Sequence, residues 1–214
     1  QQSVPCQEQC CQTYMTCDNR PRKGAHIKVE PIRYMADIKR IKNLLVNRPR
    51  DLALFTLGIN TPLRVSDLLR LTYDQVSGLA PGDFLTIHEK RTGRRIKVGF
   101  NSACCAAVAN LDATNRVRSS LPTTPPFLFP SRRGDVLLPS SVHRLVKSWS
   151  KAIGLDGNYG ANSLRKTWGY HQFATFGTDL SRLCTYFNHA TRRQTLDYLC
   201  LVPEDFKSIF DHEL

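Results

Sequence analysis

From Pro31 onward the chain runs in apolar stripes at helical spacing, separated by short polar breaks. In 37–47, DIKRIKNLLVN, residues Ile38, Ile41, Leu44 and Leu45 share one helical face. RDLALFTLGIN (50–60) predicts a second, more buried helix, which the stretch GINTPLR (58–64) breaks. VSDLLRLTYDQV (65–76) restarts a short helix with Ser66 or Asp67 near its beginning. The pattern then changes period. DFLTIHEK (83–90) and RRIKVGFN (94–101) alternate apolar with polar and meet through Arg91-Thr92-Gly93, the signature of a β-hairpin with a glycine turn. Helical spacing returns in the alanine-rich stretch 102–117 and, after a proline-rich connection over 119–134, in SSVHRLVKSWSKAIG (140–154), with a serine cap and a glycine stop. The remainder predicts helices near 161–175, 179–187, 191–199 and 203–211. The expected fold class is therefore α+β, mainly α, one domain over 31–214 carrying a small β-hairpin. Residues 1–30 lack any period and read as a tail or linker remnant.

Composition adds a direction. The chain has 214 residues, enough for one domain with a sizeable core, and 41% of them are hydrophobic. Lysine and arginine number 30 against 18 acids, a formal net charge of +12. That balance points to a polyanion, nucleic acid before an anionic membrane surface. No apolar run reaches the roughly 18 residues of a membrane span, and no secretory leader is visible in 1–30. Of the eight cysteines, Cys6, Cys10, Cys11 and Cys17 crowd the first 17 residues in a spacing that is not a standard zinc pattern. They read as part of an unpaired tail, with a metal knuckle or local disulfides as alternatives. Cys104, Cys105, Cys184 and Cys200 read as small buried hydrophobes of a reduced, cytosolic protein.

Three segments hold residues suited to phosphodiester chemistry without a metal. Such chemistry needs a nucleophile, cations on the nonbridging oxygens, and a proton for the leaving oxygen. ANSLRKTWGYHQF (161–173) places Asn162 and Arg165 on one helix face. LCTYFNHATRRQTLDYLCL (183–201) places His189 ahead of a helix and Tyr198 nine residues on. LGINTPLRVSDLLRLTYDQV (57–76) places Arg64 at a helix break and Asp67 three residues later. Taken singly, each has a dull explanation: a half-buried core tyrosine, surface arginines, a capping histidine, an N-cap asparagine.

Taken together, LGINTPLRVSDL (57–68), NSLRKT (162–167) and FNHATRRQTLDY (187–198) resemble, in order and spacing, the three boxes of the tyrosine recombinases (phage integrases and their relatives). The resemblance covers about Pro31 to Pro203 and implies their mixed, mainly helical catalytic domain. It implies a site-specific recombinase or integrase that breaks and rejoins DNA through a 3′-phosphotyrosine, with no cofactor and no metal. Tyr198 would be the nucleophile. Arg64 and Arg165 would clamp the scissile phosphate, His189 would bond it or help move a proton, and Asp67 would buttress Arg64. Phosphate contacts are expected from Arg94, Arg95, Lys166, Arg192 and Arg193. The implied partner is double-stranded DNA, with self-assembly on it, up to a tetramer, by a chain that is a monomer when free. The implied setting is the cytoplasm of a bacterium, encoded by it or by a phage. The helical domain that precedes the catalytic one in such recombinases has no counterpart in 1–30, so the chain reads as a piece of a longer protein or a naturally short form.

Three departures bear on catalysis. Asn162 stands where histidine is usual; asparagine can donate a hydrogen bond to the phosphate but moves no proton near pH 7. The hairpin reads RTGR (91–94), with Arg91 at the lysine position of the family's general acid; Arg91 is a poor acid, and its neighbour Lys90 points to the other face of a regular strand, so it could substitute as the catalytic acid only if the hairpin end is twisted or flexible. Pro62 replaces a glycine before Arg64 and fixes the local backbone. These departures keep open a second reading, a relative that binds DNA without cutting it.

Overall fold

The computed structural model describes residues 28–118, 127–131 and 136–201. Two helices open it, α1 (Met35–Leu44) and α2 (Pro49–Asn60), the second with proline in its first turn, where no backbone N–H is missed. Of the stripe expected on α1, Ile38, Ile41 and Leu45 are buried, while Leu44 is 39% exposed because α1 turns only one flank to the core. The short helix expected over 65–76 is two separate turns, α3 (Val65–Leu68) and α4 (Tyr73–Val76), the second begun by Thr72 N–H donating to Gln75 Oε1 at 3.1 Å.

Strands β1 (Phe84–His88) and β2 (Arg95–Gly99) pair antiparallel, with Leu85 opposite Val98 and Ile87 opposite Ile96. Their inward residues continue the core laid down by α2 and by α5 (Ser102–Arg118). Next comes α6 (Pro139–Ala152), which starts on proline without the expected serine side-chain cap. Then α7 (Ala161–Ala174), α8 (Leu180–Phe187) and α9 (Arg192–Leu199) follow, close to their expected bounds. The helix expected at 203–211 lies outside the described residues.

Two apolar clusters result. The large one joins α1 to α7 and the hairpin, with Phe55 edge-on to Trp149 at 5.9 Å. The small one holds Tyr170, Leu183, Phe187, Leu199 and Leu201 and fastens α8 and α9 to the far side of α7. Gly58 and Gly169 make α7 the shared wall. A side chain at Gly58 would lie 2.7 Å from Leu164, and one at Gly169 would lie 2.4 Å from Phe187. Residues 28–33 cross this wall as a strap: Glu30 N–H donates to the Asn158 carbonyl at 2.8 Å, and Ile32 N–H donates to Thr167 Oγ1 at 2.8 Å. Residues 28–30, read from sequence as the end of a tail, are thus packed on the fold. Among the described residues no helix is long and apolar enough to cross a membrane.

Candidate active site

Tyr198, His189, Arg165 and Arg64 converge at the seam between the two clusters. Each is placed by the end of a helix. Arg64 is the extended residue that leads into α3. Arg165 lies in the second turn of α7, whose start is set by Gly160 N–H donating to Ser163 Oγ at 3.1 Å. His189 follows Asn188, which closes α8 in the left-handed conformation at φ 57°. Tyr198 stands in the last turn of α9, begun by Thr191, whose hydroxyl accepts from Gln194 N–H at 3.1 Å.

Arg165 is 4% exposed and anchored from three sides. Its Nε donates to the Pro62 carbonyl at 2.5 Å, its Nη2 donates to the Tyr186 carbonyl at 3.4 Å, and its Cζ lies 4.7 Å from the centre of the Phe187 ring. The backbone carbonyl at the departing position, Pro62, fixes the second arginine, a contact that any residue there could make. Desolvation lowers the Arg165 pKa, the nearby Tyr198 raises it and Arg64 lowers it further, so two cations crowd one space.

Arg64 is buttressed by Glu89, not by Asp67. Glu89 is 1% exposed and pairs with Arg64 Nη1. Asp67 instead accepts the Lys90 backbone N–H at 3.0 Å and so holds the hairpin turn. Sequence reasoning missed Glu89, although a signal was there. It continues the inward alternation of Leu85 and Ile87, and a carboxylate on a buried face demands a cation. With Glu89 inward, the Lys90 side chain is exposed, as is Arg91.

His189 packs 5.1 Å from the Tyr198 ring, centre to centre, and its Nδ1 lies 3.0 Å from Thr195 Oγ1. Desolvation, then Arg165 and Arg64, push its pKa down to about 4, so the ring is neutral near pH 7. Burial raises the Tyr198 phenol, against the opposing pull of Arg165 and Arg64. A neutral imidazole thus sits beside a protonated phenol.

An open cleft of about 520 Å³ borders Tyr198 and His189, and Asn162, His143 and Lys166 line it too. Asn162 is exposed within the first turn of α7, and Gly160, not Asn162, is the N-cap. Lys166, expected on phosphate, is 4% exposed. Its Nζ donates to the Val29 carbonyl at 2.7 Å and stands 5.0 Å above the Tyr198 ring, so it holds the strap against the tyrosine. Arg94, also expected on phosphate, spans from the hairpin to α8, donating to the Thr185 carbonyl at 2.8 Å and to Asn188 Oδ1 at 3.0 Å. Arg192 donates to Ser181 Oγ at 2.7 Å, while Arg95 and Arg193 are exposed.

The model of the phage integrase family matches residues 35–203, a span that takes in every residue of this seam. The chain belongs to that family, the tyrosine recombinases. A probable integrase/recombinase of Bacillus subtilis (strain 168), YoeC, is 30% identical over 173 residues, covering 80% of this chain and 89% of that protein. Among solved structures, XerA recombinase superposes with a TM-score of 0.65 at 20% identity over 89% of this chain. The catalytic domain of bacteriophage HP1 integrase superposes with a TM-score of 0.54 at 18% identity, over 87% of this chain and 96% of that domain. The recombinase described here spans 65% of the XerA chain but nearly all of the HP1 catalytic domain, so the fold is the mainly helical catalytic fold expected.

Proposed function

We propose that this recombinase cuts and rejoins duplex DNA by metal-free transesterification, with Tyr198 as the nucleophile. The observation that carries the proposal is the convergence of Tyr198 with Arg165, Arg64 and a neutral His189. Two arginines share one buried carboxylate, Glu89, so the space between them is electropositive and suits a phosphate. Tyr198 Oη attacks phosphorus, a 3′-phosphotyrosine forms, and a 5′ hydroxyl departs. The arginines stabilise the charge that builds on the nonbridging oxygens, and the His189 ring takes the phenol proton. Exposed Arg91, Arg95 and Arg193 contact the backbone of double-stranded DNA. The chain acts in the cytoplasm and assembles on its site, up to a tetramer, from free monomers.

The XerH structure similar to this chain, at 17% identity and a TM-score of 0.67, is a post-cleavage complex with its difH substrate, which supports duplex DNA as the partner. The test is covalent trapping on nicked duplexes of random sequence, read on denaturing gels. An adduct is expected with the native chain and none with Tyr198→Phe. An adduct that survives in Tyr198→Phe refutes the assignment. Sequence-tolerant binding without any adduct favours the DNA-binding module, the reading that Asn162 and Arg91 support.

A further inference from the structure

Neither the second box nor the hairpin turn supplies a ready proton donor for the departing 5′ oxygen, and Lys166 Nζ is engaged by the Val29 carbonyl at 2.7 Å. Asn162 carries no transferable proton, Arg91 holds its proton too tightly, and Lys90 is turned outward by the inward Glu89. A second histidine lies in the same cleft as His189. His143 projects from α6 into the wall that also holds Asn162, His189 and Tyr198. Among the described residues no hydrogen bond holds its ring.

Gly160 makes its position possible. A side chain at Gly160 would lie 2.3 Å from His143 Nδ1 and 2.4 Å from Cε1, so the imidazole rests directly on the backbone at the head of α7. The Gly160 backbone is extended, with φ −169°, a conformation open to any residue. Glycine is needed there for the room it leaves the ring, not for its backbone freedom. The ring is thereby held two residues from Asn162, at the mouth of the cleft that Tyr198 faces.

We infer that His143 is the general acid of the cleavage step, a role that rests on the transesterification proposed above. As the Tyr198 Oη–P bond forms, the P–O5′ bond breaks and its electron pair stays on O5′. The imidazolium of His143 gives its proton to that oxygen. The phenol proton passes to His189. In rejoining, neutral His143 takes the proton back from the 5′ hydroxyl as it attacks, and His189 returns its own to Tyr198.

The test uses a nicked duplex recovered by covalent trapping with the native chain from a random-sequence pool. It is resynthesised with either oxygen or sulfur at the bridging 5′ position; sulfur leaves without a proton. His143→Ala and His143→Gln are each expected to slow adduct formation on the oxygen substrate by about 100-fold or more, and on the sulfur substrate by less than about 3-fold. Gly160→Ala, which drives the ring off α7, is expected to show the same split. Equal slowing on both substrates, or none on either, overturns the role of His143 while Tyr198 chemistry stands. A native chain that traps no duplex overturns the transesterification itself, and this role with it.

Discussion

Arg64 and Glu89 form an ion pair whose carboxylate is 1% exposed and whose arginine side chain is 16% exposed. The pair joins the break after α2 to the base of the hairpin. Glu89 also accepts from Thr92 Oγ1 at 2.5 Å, so one carboxylate orders both the arginine and the turn. Replacing it leaves Arg64 without its ion pair, close enough to Arg165 to lower that group's pKa. Breaking a buried pair costs roughly 3–5 kcal/mol, and the lower end applies here because Arg64 keeps some contact with water. Glu89→Gln is expected to lose about 3 kcal/mol of unfolding free energy in urea and to slow covalent trapping more than it weakens DNA binding. Asp67→Asn is expected to affect trapping less, since among the described residues the Asp67 carboxylate accepts from the Lys90 backbone N–H and not from Arg64. A larger defect from Asp67→Asn than from Glu89→Gln would restore Asp67 as the buttress.

Arg165 divides its donors between the Pro62 and Tyr186 carbonyls while its guanidinium lies near Tyr198. A planar fork does both at once; an ammonium does not. Arg165→Lys is therefore expected to fold and bind DNA but to lower single-turnover adduct formation by about 100- to 1,000-fold, the range for removing one preorganised donor to a transition-state oxyanion. Near-native trapping by Arg165→Lys would mean that the guanidinium is structural.

The depressed pKa of His189 makes stability depend on pH. Between about 6.5, its unfolded value, and about 4 in the fold, the unfolded chain binds a proton that the folded chain does not. Stability is then lost as pH falls through that window and is insensitive to this residue above it. With partial exposure discounted, the loss is on the order of 1–2 kcal/mol. His171 adds to the slope in the same direction, because burial also lowers its pKa. Urea midpoints between about pH 4.5 and 7 are expected to fall on acidification in the native chain. They are expected to fall less steeply in His189→Gln, with His171 supplying the remainder. A slope that His189→Gln leaves intact would contradict a neutral His189.

Much of this site was legible before any coordinates. The helical periods placed α7 to α9 within a residue or two, and the boxes around Arg64, Arg165, His189 and Tyr198 named the residues that meet. What was not legible depends on contacts between distant segments. Glu89 and Arg64 lie 25 positions apart, and nothing local says which acid turns toward the arginine. Lys166 follows Arg165 on the same basic run, yet it is buried because the strap crosses α7 and supplies the Val29 carbonyl. Arg94 looks like a phosphate contact until the hairpin is seen to lie against the end of α8.

Those corrections predict a salt signature. An arginine or lysine that touches phosphate contributes about 0.9 to the slope of log affinity against log salt. Arg193→Ala is expected to reduce that slope by about 0.9, because Arg193 is exposed on α9. Lys166→Met is expected to leave it unchanged while destabilising the fold by about 1–2 kcal/mol, since the half-buried Val29 carbonyl loses its donor. If Lys166→Met lowers the slope by the same amount, the lysine reaches DNA after all.

The tyrosine-bearing α9 belongs to the small cluster, which packs on α7 at Gly169. Phe187 and Leu199 close over that glycine, so a methyl there would meet Phe187 at 2.4 Å and Leu199 at 2.8 Å. Phe187 is also the ring on which Arg165, His189 and Tyr198 all rest, at 4.7, 5.3 and 5.0 Å. Displacing it moves the nucleophile, its base and one phosphate cation together. Gly169→Ala is expected to cost about 1–3 kcal/mol, the usual penalty of overpacking, and to loosen α8 and α9 while the large cluster stays intact. Hydrogen exchange is expected to rise in 180–199 and stay native in α2 and β2. Adduct formation is expected to fall well beyond the loss of folded protein. Exchange that rises evenly across the chain would show that the two clusters unfold as one and that α9 has no separate freedom to lose.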